Sequence, residues 1–159
     1  MKHFLIPSFL ILTLTFAACS TTPPASLATD PAPAPVSSGN SAAQFDSSMR
    51  TDEQGTIIFE VTPLNLNAPA DTLEFNIALT THSIDLSMDL ATLASLTTDT
   101  GVTVQATLWD APRGGHHVEG KLVFPANQDG KSILEGAGKL TLTILNVDAD
   151  SRIFEWELK

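Results

Sequence analysis

From Gly55 to the end of the chain, apolar residues recur at every second position in short runs separated by turn-forming residues. Ile57, Phe59 and Val61 make the first run, which stops at Pro63. Leu73, Phe75, Ile77 and Leu79 alternate with Thr72, Glu74 and Asn76. Ile84, Leu86, Met88 and Leu90 alternate with Asp85, Ser87 and Asp89. A less regular stretch, 91–98, leads into Asp99-Thr100-Gly101, a hairpin-turn signal. Val102, Val104, Ala106 and Leu108 follow on one face. Val118, Gly120, Leu122 and Phe124 run up to Pro125, then come Leu140, Leu142 and Ile144, and finally Phe154, Trp156 and Leu158. A period of two marks strands with one face in a core and one in water. The pattern predicts seven or eight short strands. The one helical spacing, at Leu86, Leu90, Leu93 and Ala94, is contradicted by the alternation before Leu90 and by the threonines that follow. Strands with a single apolar face must cover it with a second sheet, so the expected fold is all-β, an antiparallel β-sandwich.

Upstream of Gly55 the character changes. Between Ser20 and Asn40 the chain holds Pro23, Pro24, Pro31, Pro33 and Pro35 among Ala, Ser and Thr, with no apolar periodicity. Such a stretch reads as a disordered Pro/Ala/Ser-rich tether, extended at roughly 3 Å per residue where Pro and Ala alternate. Residues 41–54 are polar, and read as the end of the linker or as a short edge element. Before the linker, Lys2 precedes an almost wholly apolar run, 4–18, that ends in Ala17-Ala18 and is followed by Cys19, the only cysteine. A basic start, a short apolar stretch and a small-residue exit form a secretory signal. A membrane span is the competing reading, but it needs about 20 apolar residues.

The segment Phe16-Ala17-Ala18-Cys19 resembles a bacterial lipobox, with Phe16 where an aliphatic residue is usual. The resemblance implies removal of residues 1–18 and acylation of Cys19. Two or more acyl chains anchor a protein durably where one does not. The expected location is the cell envelope, with Cys19 in the lipid of the outer membrane or of the outer face of the cytoplasmic membrane. The expected domains are a signal peptide at 1–18, a lipidated linker at 19–54 and a folded body at 55–159.

The full chain carries a formal charge of −10, and loss of Lys2 with the leader makes it more negative by one. That disfavours nucleic acid and anionic lipid headgroups, both of which require a positive patch. With Cys19 acylated, no disulfide can form within the chain. A body of about 100 residues is large enough to rely on an apolar core instead.

Three segments resemble the small immunoglobulin-like domains of bacterial surface and periplasmic lipoproteins. They are Leu73-Glu74-Phe75-Asn76-Ile77-Ala78-Leu79, then Ala94-Ser95-Leu96-Thr97-Thr98-Asp99-Thr100-Gly101, then Gly120-Lys121-Leu122-Val123-Phe124-Pro125 followed by Leu140-Thr141-Leu142. Thr81-His82-Ser83-Ile84-Asp85-Leu86 and Gly114-Gly115-His116-His117 are similar to segments of uncharacterised lipoproteins. The resemblance implies an immunoglobulin-like, non-catalytic sandwich and names no substrate.

The candidate chemistry is in the histidines. His82, His116 and His117 fall in the body, with Asp85 and Asp110 close by in sequence, and imidazole with carboxylate suits Zn(II), Cu(II) or Ni(II). Gly114-Gly115 permits a sharp turn before the pair. The candidate metal ligands are therefore His82, His116, His117 and Asp85; Trp109 and Asp110 are candidates for a shallow binding site. The competing reading has one imidazole resting on Trp109 and the other in solvent beside Glu119. Neighbours on a strand point to opposite faces, so His116 and His117 share an ion only if His116 is still in the turn. The two histidine segments meet if 83–98 runs as one strand or two collinear ones, and a reversal near Leu90-Ala91 would separate them. No Gly-x-Ser-x-Gly elbow, His-Glu-x-x-His helix or phosphate-binding loop is present. The expectation is no enzyme and no obligate cofactor, beyond possible Cu or Zn. The leading reading is an interaction module with an extracytoplasmic protein partner, and the alternative is a transition-metal-binding lipoprotein.

Overall fold

A computed structural model of the chain describes residues 47–158. The expected signal peptide at 1–18, Cys19 and the expected linker as far as residue 46 lie outside the described residues. Within them the chain forms β1 (Arg50–Asp52), β2 (Ile57–Pro63), β3 (Thr72–Thr81), β4 (Ala94–Thr98), β5 (Thr103–Gln105), β6 (Leu108–Asp110), β7 (His117–Pro125), β8 (Asn127–Gln128), β9 (Lys131–Ser132), β10 (Lys139–Leu145) and β11 (Ser151–Glu157). One sheet has the order β1-β2-β3-β7-β6, a second has β11-β10-β4-β5, and β8 with β9 makes a separate small hairpin. All pairings are antiparallel. The two sheets hold more strands than the seven or eight expected, because β1, β5 and β6 are only three residues long and leave little periodicity to read. Among the described residues the only helix is a 3-10 turn at Leu90–Thr92, and no helix is long and apolar enough to cross a membrane.

The inward positions of the long strands are those the alternation selects. Ile57, Phe59 and Val61 of β2, Leu73 to Leu79 of β3, Leu122 and Phe124 of β7, Leu140 to Ile144 of β10 and Phe154 and Trp156 of β11 are all buried. They bury their apolar faces against each other across a sandwich-like gap. Phe75 of one sheet meets Trp156 of the other at 5.3 Å, and Phe59 meets Phe154 at 6.4 Å, between ring centroids. Each such side chain, fully buried, contributes about 1.5–3 kcal/mol of transfer free energy, which is what holds a fold with no disulfide together.

Two stretches depart from the alternation. The stretch 84–90 is not a strand. It is an irregular crossing from the end of β3 to the start of β4, with Leu86 and Leu90 buried over the end of the core. The Val102–Leu108 stretch is not one strand either. It splits at Ala106-Thr107, where the Ala106 amide donates to Ala94 of the second sheet and the Thr107 amide to Val123 of the first. The change of sheet inverts the parity, so Leu108 points to water and Trp109 is buried.

The body also reaches back further than Gly55. Residues 50–52 pair with β2, Arg50 facing Val61 and Asp52 facing Phe59. The Trp156 indole Nε1 donates to the Ser48 carbonyl at 2.8 Å, and the Arg50 Nε to the Glu155 carbonyl at 2.9 Å. These bonds cover the free edge of β11. At the far end of β1 the fully buried Arg152 takes the Asp52 carboxylate and the Gln54 and Val147 carbonyls, with its guanidinium 4.4 Å from the Phe59 ring. Among the described residues no buried side-chain polar atom lacks a partner.

Register fixes what lies at each end. Ile57 faces Thr81, and Thr80 faces His117, so the β1–β2 turn, the β3–β4 crossing and the β6–β7 loop share one end. The Thr56 hydroxyl donates to the Asp148 carboxylate at 2.8 Å, bringing the β10–β11 turn to the same end. Ser48, two residues before the Arg50–Val61 pair and bonded to Trp156, lies at the other.

Candidate functional site

The two histidine segments meet. Thr81 donates its amide to the His116 carbonyl at 2.9 Å, extending the β3–β7 ladder by one rung. Past that rung, the Leu86 amide donates to Gly115 and the Gly114 amide donates back to Leu86, each at 3.0 Å. Gly114 and Gly115 both have positive φ, +85° and +93°, a conformation open to glycine at little cost. The Asp85 carboxylate closes the turn by accepting the Gly115 amide at 2.8 Å. That amide, then the Ser87 hydroxyl, and more weakly the charge of His116, hold the Asp85 carboxyl below its usual value. The expectation that these segments share one end holds although 83–90 is not a strand, because the crossing returns the chain at Ala94 and β4 then runs away from His82.

The four candidate ligands do not form one site. His82 and His117 lie together on the outer face of the first sheet, rings 6.4 Å apart between centroids and nearly perpendicular at 85°. Thr80 explains why: it faces His117 in register, and His82 is two residues further along the same face. The His117 Nδ1 is 3.3 Å from the Thr80 Oγ1. His116, on the opposite parity, stands apart from that pair and reaches Asp85 only through its charge. Among the described residues no three His, Cys, Asp or Glu side chains are grouped to hold a metal ion.

Trp109 is a core residue, 8% exposed, and does not wall a site or receive an imidazole; both His116 and His117 are exposed. Asp110 is exposed opposite Lys121 of β7, away from the histidines. Beside His117 a shallow groove of about 370 Å³ runs over Ala78, between Thr80 and Glu119. Glu119 is held to one side by the Asn76 amide at 2.9 Å. Thr80 and Glu119 were absent from the candidate set; the same two-residue parity that puts His82 and His117 on one face would have brought them in. At the other end, Thr100 and Val102 face the 128–136 loop across a cleft of about 630 Å³ that carries Asp129, Lys131 and Glu135.

No family model, no curated protein and no solved structure matches this chain.

Proposed function

We propose that this chain is a lipid-anchored protein of the cell envelope whose immunoglobulin-like body is a non-catalytic interaction module, acting through the loops at the histidine end. Strand order supports the immunoglobulin-like reading. With β1 and the short β5 set aside, β2, β3, β4, β6, β7, β10 and β11 correspond to strands A to G. They then fall as A-B-E-D in one sheet and G-F-C in the other. The β3–β4, β6–β7 and β10–β11 connections are then the B–C, D–E and F–G loops, which lie at one end of such a sandwich. No disulfide pins strands B and F here; Leu and Ile residues of β3 and β10 fill the core instead.

The observation that carries the functional reading is β1. Without it the chain would join the body at Ile57, among those loops. By pairing antiparallel with β2, it moves the junction to Ser48 at the opposite end. A linker running from an acylated Cys19 to Ser48 thus leaves the three loops facing away from the lipid. Loops on a rigid sandwich are where recognition residues concentrate.

Two measurements test this. Cells expressing the chain and fed labelled palmitate incorporate label, and the Cys19→Ala variant does not. A photo-crosslinker at Arg113 or Ser87 gives a discrete protein adduct on intact cells, and one at Thr62 or Leu64, at the other end, does not. Label absent from the wild type overturns the anchor, and adducts confined to Thr62 and Leu64 overturn the loop-end assignment.

A further inference from the structure

We infer that His82 and His117 form a two-imidazole chelate for a divalent transition-metal ion, Cu(II) foremost, on the outer face of the first sheet. This stands apart from the anchor and the interaction module. It replaces the four-residue set His82, His116, His117 and Asp85 with a pair chosen by geometry.

The argument starts from the backbone. His117 is the first residue of β7 and His82 immediately follows β3. The Thr81–His116 hydrogen bond locks these two chain segments together, so the two Cβ atoms project from one rigid ladder. An ion bonded at about 2 Å to one nitrogen of each ring brings the centroids to about 4.5–5 Å at neighbouring coordination positions and about 6.3 Å at opposite ones. The rings stand at 6.4 Å, so chelation draws the two exposed side chains together by rotation.

Thr80 supplies the outer support. With the proton on Nδ1, His117 donates to the Thr80 hydroxyl, leaving Nε2 as a ligand with its lone pair free. Ligating imidazoles commonly donate their other N–H in this way, which fixes tautomer and ring orientation. His82 and His117 are both exposed, so an ion reaches them without unfolding anything. Glu119 is engaged by Asn76, which leaves the remaining coordination positions to water. Two imidazoles with open positions suit Cu(II), the strongest binder among the divalent first-row ions. The negative charge of the whole chain adds a general attraction for cations.

The test is calorimetric titration of the full chain in detergent with Cu(II), then Zn(II), in a His3→Ala, Cys19→Ser background so that neither the histidine beside the amino terminus nor a thiol competes. One equivalent binds, Cu(II) more tightly than Zn(II). Thr80→Val weakens Cu(II) by about tenfold, the lower end of what loss of an outer-shell partner costs. His82→Ala and His117→Ala each weaken it further, and His116→Ala leaves it unchanged. Electron paramagnetic resonance of the Cu(II) form shows two imidazole nitrogens, and one after either substitution. Wild-type affinity in His82→Ala or His117→Ala overturns the assignment, as does loss of binding in His116→Ala or the absence of any binding. The three histidines are exposed and Thr80 is half-buried, and an unchanged far-ultraviolet spectrum shows that each variant remains folded.

Discussion

Arg152 is completely buried and forms an ion pair with Asp52, a residue 100 positions earlier that keeps 15% of its side-chain exposure. The pair joins β11 to the end of β1. A buried charge that loses its partner is costly, whereas replacing the whole pair by apolar residues of similar volume is often neutral. Asp52→Ala should therefore lower unfolding free energy by about 3 kcal/mol, and adding Arg152→Met should recover much of that loss. Chemical denaturation of the single and double variants checks it. Equal losses in both would mean that the guanidinium acts mainly through packing on Phe59.

Acid should unfold the protein through its paired carboxylates. Burial by itself raises the Asp52 carboxyl, but hydrogen bonds from Gln54 together with Arg152 bring it below its usual 3.8. The amide and hydroxyl of Thr56 lower Asp148 in the same direction. A carboxyl depressed in the folded state stabilises the fold above its unfolded pKa and loses that contribution as pH falls through the folded one. The urea midpoint should hold down to about pH 5 and decline below about pH 4. Asp52→Asn should flatten that decline. An identical acid profile in the variant would remove Asp52 from the account.

Gly120 is the one inward position of β7 without a side chain, and Ala111 explains the gap. A Cβ at Gly120 would collide with the Ala111 side chain and the Asp110 carbonyl. Gly120→Ala should cost about 1–3 kcal/mol, the usual penalty for overfilling a packed site. The measurement is a thermal or urea melt. A variant as stable as the wild type would show that the segment after β6 yields easily.

The β6–β7 turn depends on one carboxylate for its outermost amide. Asp85→Ala should speed hydrogen exchange at the Gly115 amide while leaving the Thr81 amide, bound to the His116 carbonyl, protected. Exchange followed by NMR separates the two. Equal acceleration at both sites would mean that Asp85 holds the whole crossing rather than its tip.

The long strands were legible because their alternation extends over five or more residues and both sheets present one apolar face to the other. What period two cannot say is which sheet a strand joins. The chain changes sheets at Ala106-Thr107 without a glycine or proline to announce it, so Trp109 passed for the rim of a site when it is core. Arg152 was readable in part: the parity that puts Phe154, Trp156 and Leu158 inside also puts Arg152 inside. Its partner Asp52 was not, since it sits in a polar stretch whose pairing with β2 leaves no periodic trace. The meeting of His82 with the Gly114–His117 segment was expected from strand structure over 83–98, and comes about instead through an irregular crossing that returns the chain at Ala94. The separation of His82 and His117 from the other two candidates needed the register of Thr80 with His117.

The placement of β1 also decides how the body meets mechanical load. Its first residue faces Val61 and its last faces Phe59, so tension drawing Ser48 away from the histidine loops acts along the strand axis. The rungs between β1 and β2 then resist in parallel as shear, instead of unzipping singly. Behind them the Trp156–Ser48 bond and the Arg152–Asp52 pair brace the two extremities of the same short strand.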